Sequence, residues 1–248
     1  MAKNLRVDDV VYVPRSRVGL DDNSQSAFYS GKVIDVTERS VKLLLPEGKI
    51  SEDIPTSAIQ RNIKVIIIKI GDFDTEDTLL DPLQKSVSFY FKLLLSDDEL
   101  VFRSVRTTEE LSIIWQKEHS VISHVIIIGH GKENAIKFGD KWIESIDIGK
   151  ILSLNDVSPK QFMSLCCKTG YADFGKDFSK SPVCESLIAP FHSVHGSIAS
   201  QFCQTFFAYH LLLGKTTGVA FKHAREVTPG AVSFRLWKNE KLLAGQKS

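Results

Sequence analysis

A histidine between two glycines, Gly129-His130-Gly131, and a cysteine followed by Lys168-Thr169-Gly170 are the groups in this sequence best suited to nucleophilic chemistry. Each follows an apolar run, HVIII before the first and QFMSL before the second. If those runs are neighbouring strands of a parallel sheet, their backbones lie about 4.8 Å apart. An imidazole and a thiol delivered at matching strand ends can then meet. Such a pair performs acyl transfer: the imidazole of His130 assists loss of the Cys167 proton, the thiolate attacks a peptide carbonyl, and the imidazole protonates the departing amine. Gly131 would let the backbone turn tightly, so that its N–H and that of Cys167 point at the developing oxyanion.

Plainer roles compete for the same residues. His130 could be a simple turn residue, a reading that loses ground because Cys167 stands in register with it. Cys166 reads as a buried core thiol, because adjacent strand residues face opposite sides, although a one-residue slip would exchange its role with that of Cys167. His124, His210, Cys184 and Cys203 have no partner pattern and are expected to be structural. His192 and His195 are spaced like metal ligands, but no carboxylate or cysteine stands at matching spacing, so neither a metal nor a cofactor is expected. Asp173 and Asp177 follow the nucleophile in a stretch with Tyr171 and Phe174. There they would either line a substrate pocket that favours a basic residue at the cleavage site, or sit in a solvated loop.

Positioning such a pair requires a particular scaffold. In an open parallel α/β sheet, sites form beyond the carboxyl ends of the strands. From residue 63 onward the pattern fits one: apolar runs long enough for strands buried on both faces alternate with helical stretches. Strands are expected over residues 63–70, 98–105, 124–131, 161–170 and 231–237, with a hairpin over 135–143 around Gly139 and Asp140. Helices are expected over 79–95, from a cap at Thr107 or Thr108, over 146–152 and over 194–213, with residues 216–221 or a helix to 225 before the last strand. The first 62 residues instead alternate apolar and polar positions over 9–15, 29–36, 40–45 and 49–54, broken at Gly31, Pro46, Gly48 and Pro55. A loop over 18–26 carries Asp21, Asp22 and Asn23. Two domains are therefore expected: a small β-barrel over 1–62 and an α/β domain over 63–248.

Composition narrows the function classes. Apolar content of 43% and charged content of 25% allow a proper core without staples. Lysine and arginine number 31 against 30 acidic residues, so no global basic field exists to drive nucleic-acid or membrane-surface binding. The four cysteines lack CxxC spacing, which argues against a disulfide framework and a zinc ribbon. The opening residues are polar and the apolar runs fall short of the roughly 20 residues of a membrane span, so a cytoplasmic location is expected.

These residues also carry family resemblances. The cadence DDVVYV…YSGKVIDV…VKLLLPEGK resembles the Tudor/KOW barrels. GHG at 129–131 and SLCCKTG at 164–170 resemble the His-Gly and SxC-x-[ST]-G strand ends of the caspase-like clan of cysteine proteases, in particular its CHAT branch, which includes separase-related bacterial proteases of defence systems. The stretch SVHGSIASQFCQTFFAYHLLLGKTTGVAFKHAR resembles the CHAT pattern of a long helix followed by a second. The resemblance spans residues 63–237. It implies a caspase-like, mostly parallel sheet flanked by helices, with His130 as general base and Cys167 as nucleophile. Lys168 departs from the acidic residue often found after the cysteine, which leaves the cleavage preference open. Further implications are a protein substrate and an activating partner protein, with neither membrane nor nucleic acid bound directly. The setting implied is antiviral defence or cell death, with a gasdermin-like pore former as the kind of substrate. The alternative is a catalytically silent caspase-like module that scaffolds a complex.

Overall fold

A computed structural model describes residues 5–19, 26–45, 48–72, 74–153 and 157–245. Near the N-terminus, β1 (Val10–Pro14), β2 (Phe28–Val36), β3 (Ser40–Leu44) and β4 (Ile54–Pro55) form an antiparallel sheet in that order. Alternation in β1 and β3 turns Val11, Val13, Val41 and Leu43 inward, where they pack with Val33, Ile54 and Ile59. Tyr12 and Gln60 exchange backbone bonds of 2.7 and 2.8 Å, which curls the sheet into a half-barrel. Of the strand expected over 49–54, Ile50 makes an isolated bridge with Leu44 and the Ser51 N–H reaches the Leu43 carbonyl at 2.9 Å, while the Leu43 N–H goes to the Ser51 hydroxyl at 2.9 Å, a local bond that interrupts the ladder until Ile54 pairs with Val41. Asp21, Asp22, Asn23 and Pro46 lie outside the described residues.

The larger sheet has seven strands. Its parallel part comprises β5 (Val65–Ile70), β6 (Leu100–Val105), β7 (His124–Ile128), β10 (Lys160–Ser164) and β11 (Cys184–Pro190). The hairpin β8 (Ala135–Phe138) and β9 (Lys141–Glu144) branches off after β7. β12 (Phe234–Lys238) and β13 (Lys241–Ala244) extend the sheet antiparallel. The spatial order is β13-β12-β11-β10-β7-β5-β6, so the chain reverses its direction of travel across the sheet between β5 and β7.

Six helices cover the two faces. α1 (Asp81–Leu94), α5 (Gly196–Phe207) and α6 (Thr217–Val227) pack Phe91, Phe202, Phe206 and Phe221 on one side. α2 (Thr108–Glu118), α3 (Ser145–Leu152) and α4 (Ala172–Lys180) pack Trp115, Ile148, Phe174 and Phe178 on the other. With helices on both faces every residue of β5 and β7 is buried, which explains their continuous apolar runs. Of the two threonines before α2, Thr107 is the cap, in a capping box with Glu110. The expected helices over 79–95 and 194–213 are each part π-helical, at Glu76–Leu80 before α1 and at Ala208–Leu212 after α5.

Two elements escaped the sequence pattern. Cys184–Pro190 is a full strand, and residues 172–180, expected as a loop, form α4. A glycine in mid-helix argues against α4 on propensity alone. Packing overrides it: a Cβ on Gly175 would lie 2.4 Å from the Trp237 ring nitrogen, so only glycine lets α4 seat on β12.

The half-barrel docks at the amino ends of the parallel strands, away from the ends that carry His130 and Cys167. Ala27 N–H bonds the Leu94 carbonyl at 2.9 Å, the Ser26 hydroxyl bonds Glu99 at 3.1 Å, and Gln60 reaches the His210 carbonyl at 3.4 Å. Gly175→Ala is expected to cost about 1–3 kcal/mol in urea unfolding through overpacking against Trp237. Gly218→Ala, where an added Cβ meets nothing within 4 Å, is the control and should leave stability unchanged or slightly raised.

Candidate active site

Three parallel strands set the site. Ile68 of β5 and Ser164 of β10 both pair with Ile127 of β7, so the three chains leave the sheet at one level. The crevice beyond β5 and β7 is the topological switch point of this sheet, where ligands gather in open α/β folds.

From β5 the chain runs through Gly71 to Asp72, which is only 2% exposed. Asp72 Oδ1 accepts the N–H groups of Asp74 and Thr75 at 3.1 and 2.8 Å and the Thr75 hydroxyl at 3.1 Å. This turn, closed by an aspartate side chain, sets Thr75 Oγ1 2.5 Å from His130 Nε2, with Asp72 Oδ2 3.3 Å from the same nitrogen. The Thr75 proton is committed to Asp72, so the Thr75 oxygen accepts from Nε2–H. That assigns the tautomer and leaves Nδ1 as the basic nitrogen of His130. Asp72 is the functional group that sequence reasoning missed; its signal was an Asp-x-x-Thr turn directly after a buried strand.

Burial by itself would raise the Asp72 pKa. The Thr75 N–H and hydroxyl, the His130 charge and the Asp74 N–H outweigh it and hold the carboxyl below its ordinary value. Lys137 on β8 stands 3.5 Å from Asp72 Oδ2 and adds a second positive neighbour. The segment that carries Thr75 is itself anchored, since Lys69 of β5, buried, reaches Glu76 at 2.6 Å and Asp81 at 2.5 Å.

Of the strand and turn expected over 161–170, the strand ends at Ser164 and the backbone then turns, tied by Ser164 Oγ to Thr169 Oγ1 at 2.7 Å and by Thr169 Oγ1 to the Cys166 carbonyl at 2.8 Å. The turn, rather than strand alternation, separates the adjacent cysteines. Cys166 is wholly buried, and burial pushes its thiol up to about 12, whereas Cys167 is partly exposed. Lys168 has the left-handed φ of 63° that this turn requires, and its ammonium lies 2.8 Å from Glu133, in the loop that follows His130. Lys168 thus links the loop after β10 to the loop after β7.

His130 and Cys167 come from loops in direct backbone contact. A Cβ on Gly131 would lie 2.4 Å from the Cys167 carbonyl oxygen and 2.9 Å from Cys166 Cβ. Gly131 is therefore required for close approach between the two loops. The Cys167 thiol donates to the Val194 carbonyl, 3.8 Å away, and among the described residues no hydrogen bond joins it to His130. No family model matches the chain, and no curated protein is significantly similar to it.

The other residues singled out in the sequence lie elsewhere. Asp173 and Asp177 are on α4, not in a loop. Asp173 is exposed in its first turn, and Asp177 lines a cleft with Gly149, Ser153 and Ser181 between α3 and α4. His195 caps α5 by accepting the Ser197 N–H at 3.3 Å, while His192 packs on Phe191. Among the described residues no group of three or more histidines, cysteines or acids could hold a metal ion. His124 stacks edge-on against His210 at the opposite end of β7, and Cys184 and Cys203 are buried.

Two outcomes follow from this geometry. Because Asp72 titrates lower in the folded protein than unfolded, its contribution is full above about pH 4 and is lost as pH falls through the folded value. Denaturant unfolding between pH 6 and pH 3 should show that loss in the wild type and a flatter profile in Asp72→Asn. In native protein, iodoacetamide should modify Cys167 alone, read by peptide mass, with Cys166, Cys184 and Cys203 reacting only after unfolding.

Proposed function

We propose that this chain is a caspase-like cysteine endopeptidase in which Asp72, His130 and Cys167 act together. The observation that carries the reading is the meeting of three adjacent parallel strand ends, with a buried carboxylate and a hydroxyl fixing the imidazole tautomer beside a partly exposed thiol. Asp72 and Thr75 hold Nε2–H, and Nδ1 of His130 takes the Cys167 proton. The thiolate attacks the peptide carbonyl, and the oxyanion accepts hydrogen bonds from the Gly131 and Cys167 N–H groups. His130 then returns the proton to the leaving amine, and water hydrolyses the thioester with His130 again as base.

The thiol–Val194 contact supports a resting state that a partner protein must reorganise before Cys167 and His130 engage. The caspase-like and CHAT resemblance supports a cytoplasmic setting in antiviral defence or cell death, with a protein such as a gasdermin-like pore former as substrate. The half-barrel, remote from the crevice, would serve as the Tudor/KOW-like docking part. The same thiol–carbonyl contact also favours a second reading, a catalytically silent scaffold.

Proteome-wide cleavage mapping in host cells separates the two. Cys167→Ala should abolish every cleavage made by the wild type, Cys166→Ala should keep them, and His130→Ala should slow them by about 10²–10⁴-fold. Cleavage that persists in Cys167→Ala, or a Cys167 thiol no faster with iodoacetamide than an ordinary exposed thiol in the presence of its partner, favours the scaffold.

A further inference from the structure

A cleft of about 900 Å³ lies between α6 and the strands β11, β12 and β13, and none of Asp72, His130 and Cys167 lines it. Its size falls within the roughly 300–1,000 Å³ of small-ligand sites. Leu187 pairs with Trp237, which sets Ser186 beside Lys238 near the amino end of β11. In the last turn of α6, Arg225 gives Nε–H and Nη2–H to the Val232 carbonyl at 3.2 and 2.8 Å, just before β12 begins. The helix thus runs along β12 toward its Phe234 end. Its first turn opens at the other end, where Ser186 and Lys238 stand.

Two independent features of that end call for an anion. The Thr216 side chain makes no capping bond, and the first bond of α6 runs from the Ala220 N–H to the Thr216 carbonyl, so the N–H groups of Thr217 and Gly218 have no helical acceptor. A Cβ added to Gly218 would meet nothing within 4 Å, so the space above them is open. The other feature is Ser186. It is 4% exposed, and because Ile188 two residues later belongs to the core beneath α5 and α6, Ser186 faces the same side. Its hydroxyl makes no hydrogen bond among the described residues and opens into the cleft. A hydroxyl so buried is costly until an acceptor arrives.

The rest of the lining narrows the ligand. Lys222, Arg225 and Lys238 outnumber Glu185 and Glu226 by one, and the two lysines hold their glutamates loosely, at 3.9 and 3.5 Å. One net positive charge matches a monoanion and not a polyphosphate. Beyond the first turn of α6 the walls become apolar: Phe221 and Leu236 are buried, and Leu243 stands 56% exposed on the outermost strand. The cleft joins an anion-binding end to a hydrocarbon floor.

We propose that this cleft binds an aliphatic monocarboxylate, a free fatty acid of medium chain length, with its head at the first turn of α6 and its chain along Phe221, Leu236 and Leu243. The two carboxylate oxygens accept from the Thr217 and Gly218 N–H groups and from the Ser186 hydroxyl, where the helix dipole also favours negative charge. Lys222 and Lys238 flank the head. The inference is independent of the endopeptidase reading, because the cleft shares no residue with the proposed catalytic group.

The test titrates the full chain, labelled with ¹⁵N, with sodium decanoate below its micelle concentration, followed by calorimetry and by amide NMR shifts. Saturable one-to-one binding is expected, with the largest shifts at Thr217, Gly218 and Ser186. Decanol lacks the charge and inorganic phosphate lacks the chain, and each should bind at least about tenfold more weakly. Ser186→Ala should weaken decanoate on the order of tenfold or more, the span of a hydrogen bond to a charged group. Leu243→Glu, at an exposed position where folding is not at stake, should weaken it about as much, and it decides alone if the Ser186 variant misfolds. No saturable binding, decanol or phosphate binding as well as decanoate, or shifts centred elsewhere overturns the site. So does affinity that survives both substitutions, or binding confined to phosphatidylglycerol vesicles.

Discussion

Level pairing of three parallel strands is the constraint on which the rest of this structure depends. Ile68, Ile127 and Ser164 lie side by side, held by backbone ladders that run through a core buried on both faces. A slip of one residue in β10 would turn Phe162 and Met163 to the wrong layers, because alternate residues feed the two helical faces. The apolar pattern therefore protects the register, and the register delivers Asp72, His130 and Cys167 to one crevice. The geometry at the strand ends is secured by hydrophobic residues buried in the two helical faces.

The loops add what the strands cannot. Strand ends fix where a backbone emerges, but a histidine ring needs its rotation and its proton fixed as well. Asp72 supplies both through Thr75, and the lysine at 69 draws Glu76 and Asp81 inward so that the π-helical turn after Thr75 cannot drift. Arg106 joins the same network from outside by pairing with Glu76 at 2.7 Å. On the other side, Lys168 and Glu133 connect the nucleophile loop to the histidine loop. That pair is exposed, so its value lies in geometry more than in stability.

Much of this was legible from residue order. The apolar runs over 63–70 and 124–128 read as strands because burial on both faces leaves few polar positions, Lys64, Lys69 and His124 being the exceptions, and His130 and Cys167 stood out because each follows such a run. Where reading failed, tertiary contact had overruled local pattern. Gly175 makes α4 look like a loop until Trp237 is known to rest on it. β11, with Glu185, Ser186 and a terminal proline, has neither helical nor alternating periodicity, and only its place between β10 and β12 makes it a strand. Asp72 went unnoticed because an aspartate after a strand is common, and its worth depends on a histidine that lies far along the chain.

The buried charges divide into two kinds, and the division carries information about function. Lys69 and Asp72 are compensated within the chain, and each compensation fixes local geometry: Asp72 orients the His130 ring, and Lys69 steadies the segment that carries Thr75. A charge paired internally has spent its electric field on the fold. Arg235 on β12, 2% exposed, is not paired in this way: among the described residues its side chain makes one long bond, 3.4 Å to the Gly170 carbonyl that the Trp237 ring nitrogen already holds. Apolar residues surround it on β12, and a methionine of similar length would satisfy the same packing without the desolvation cost.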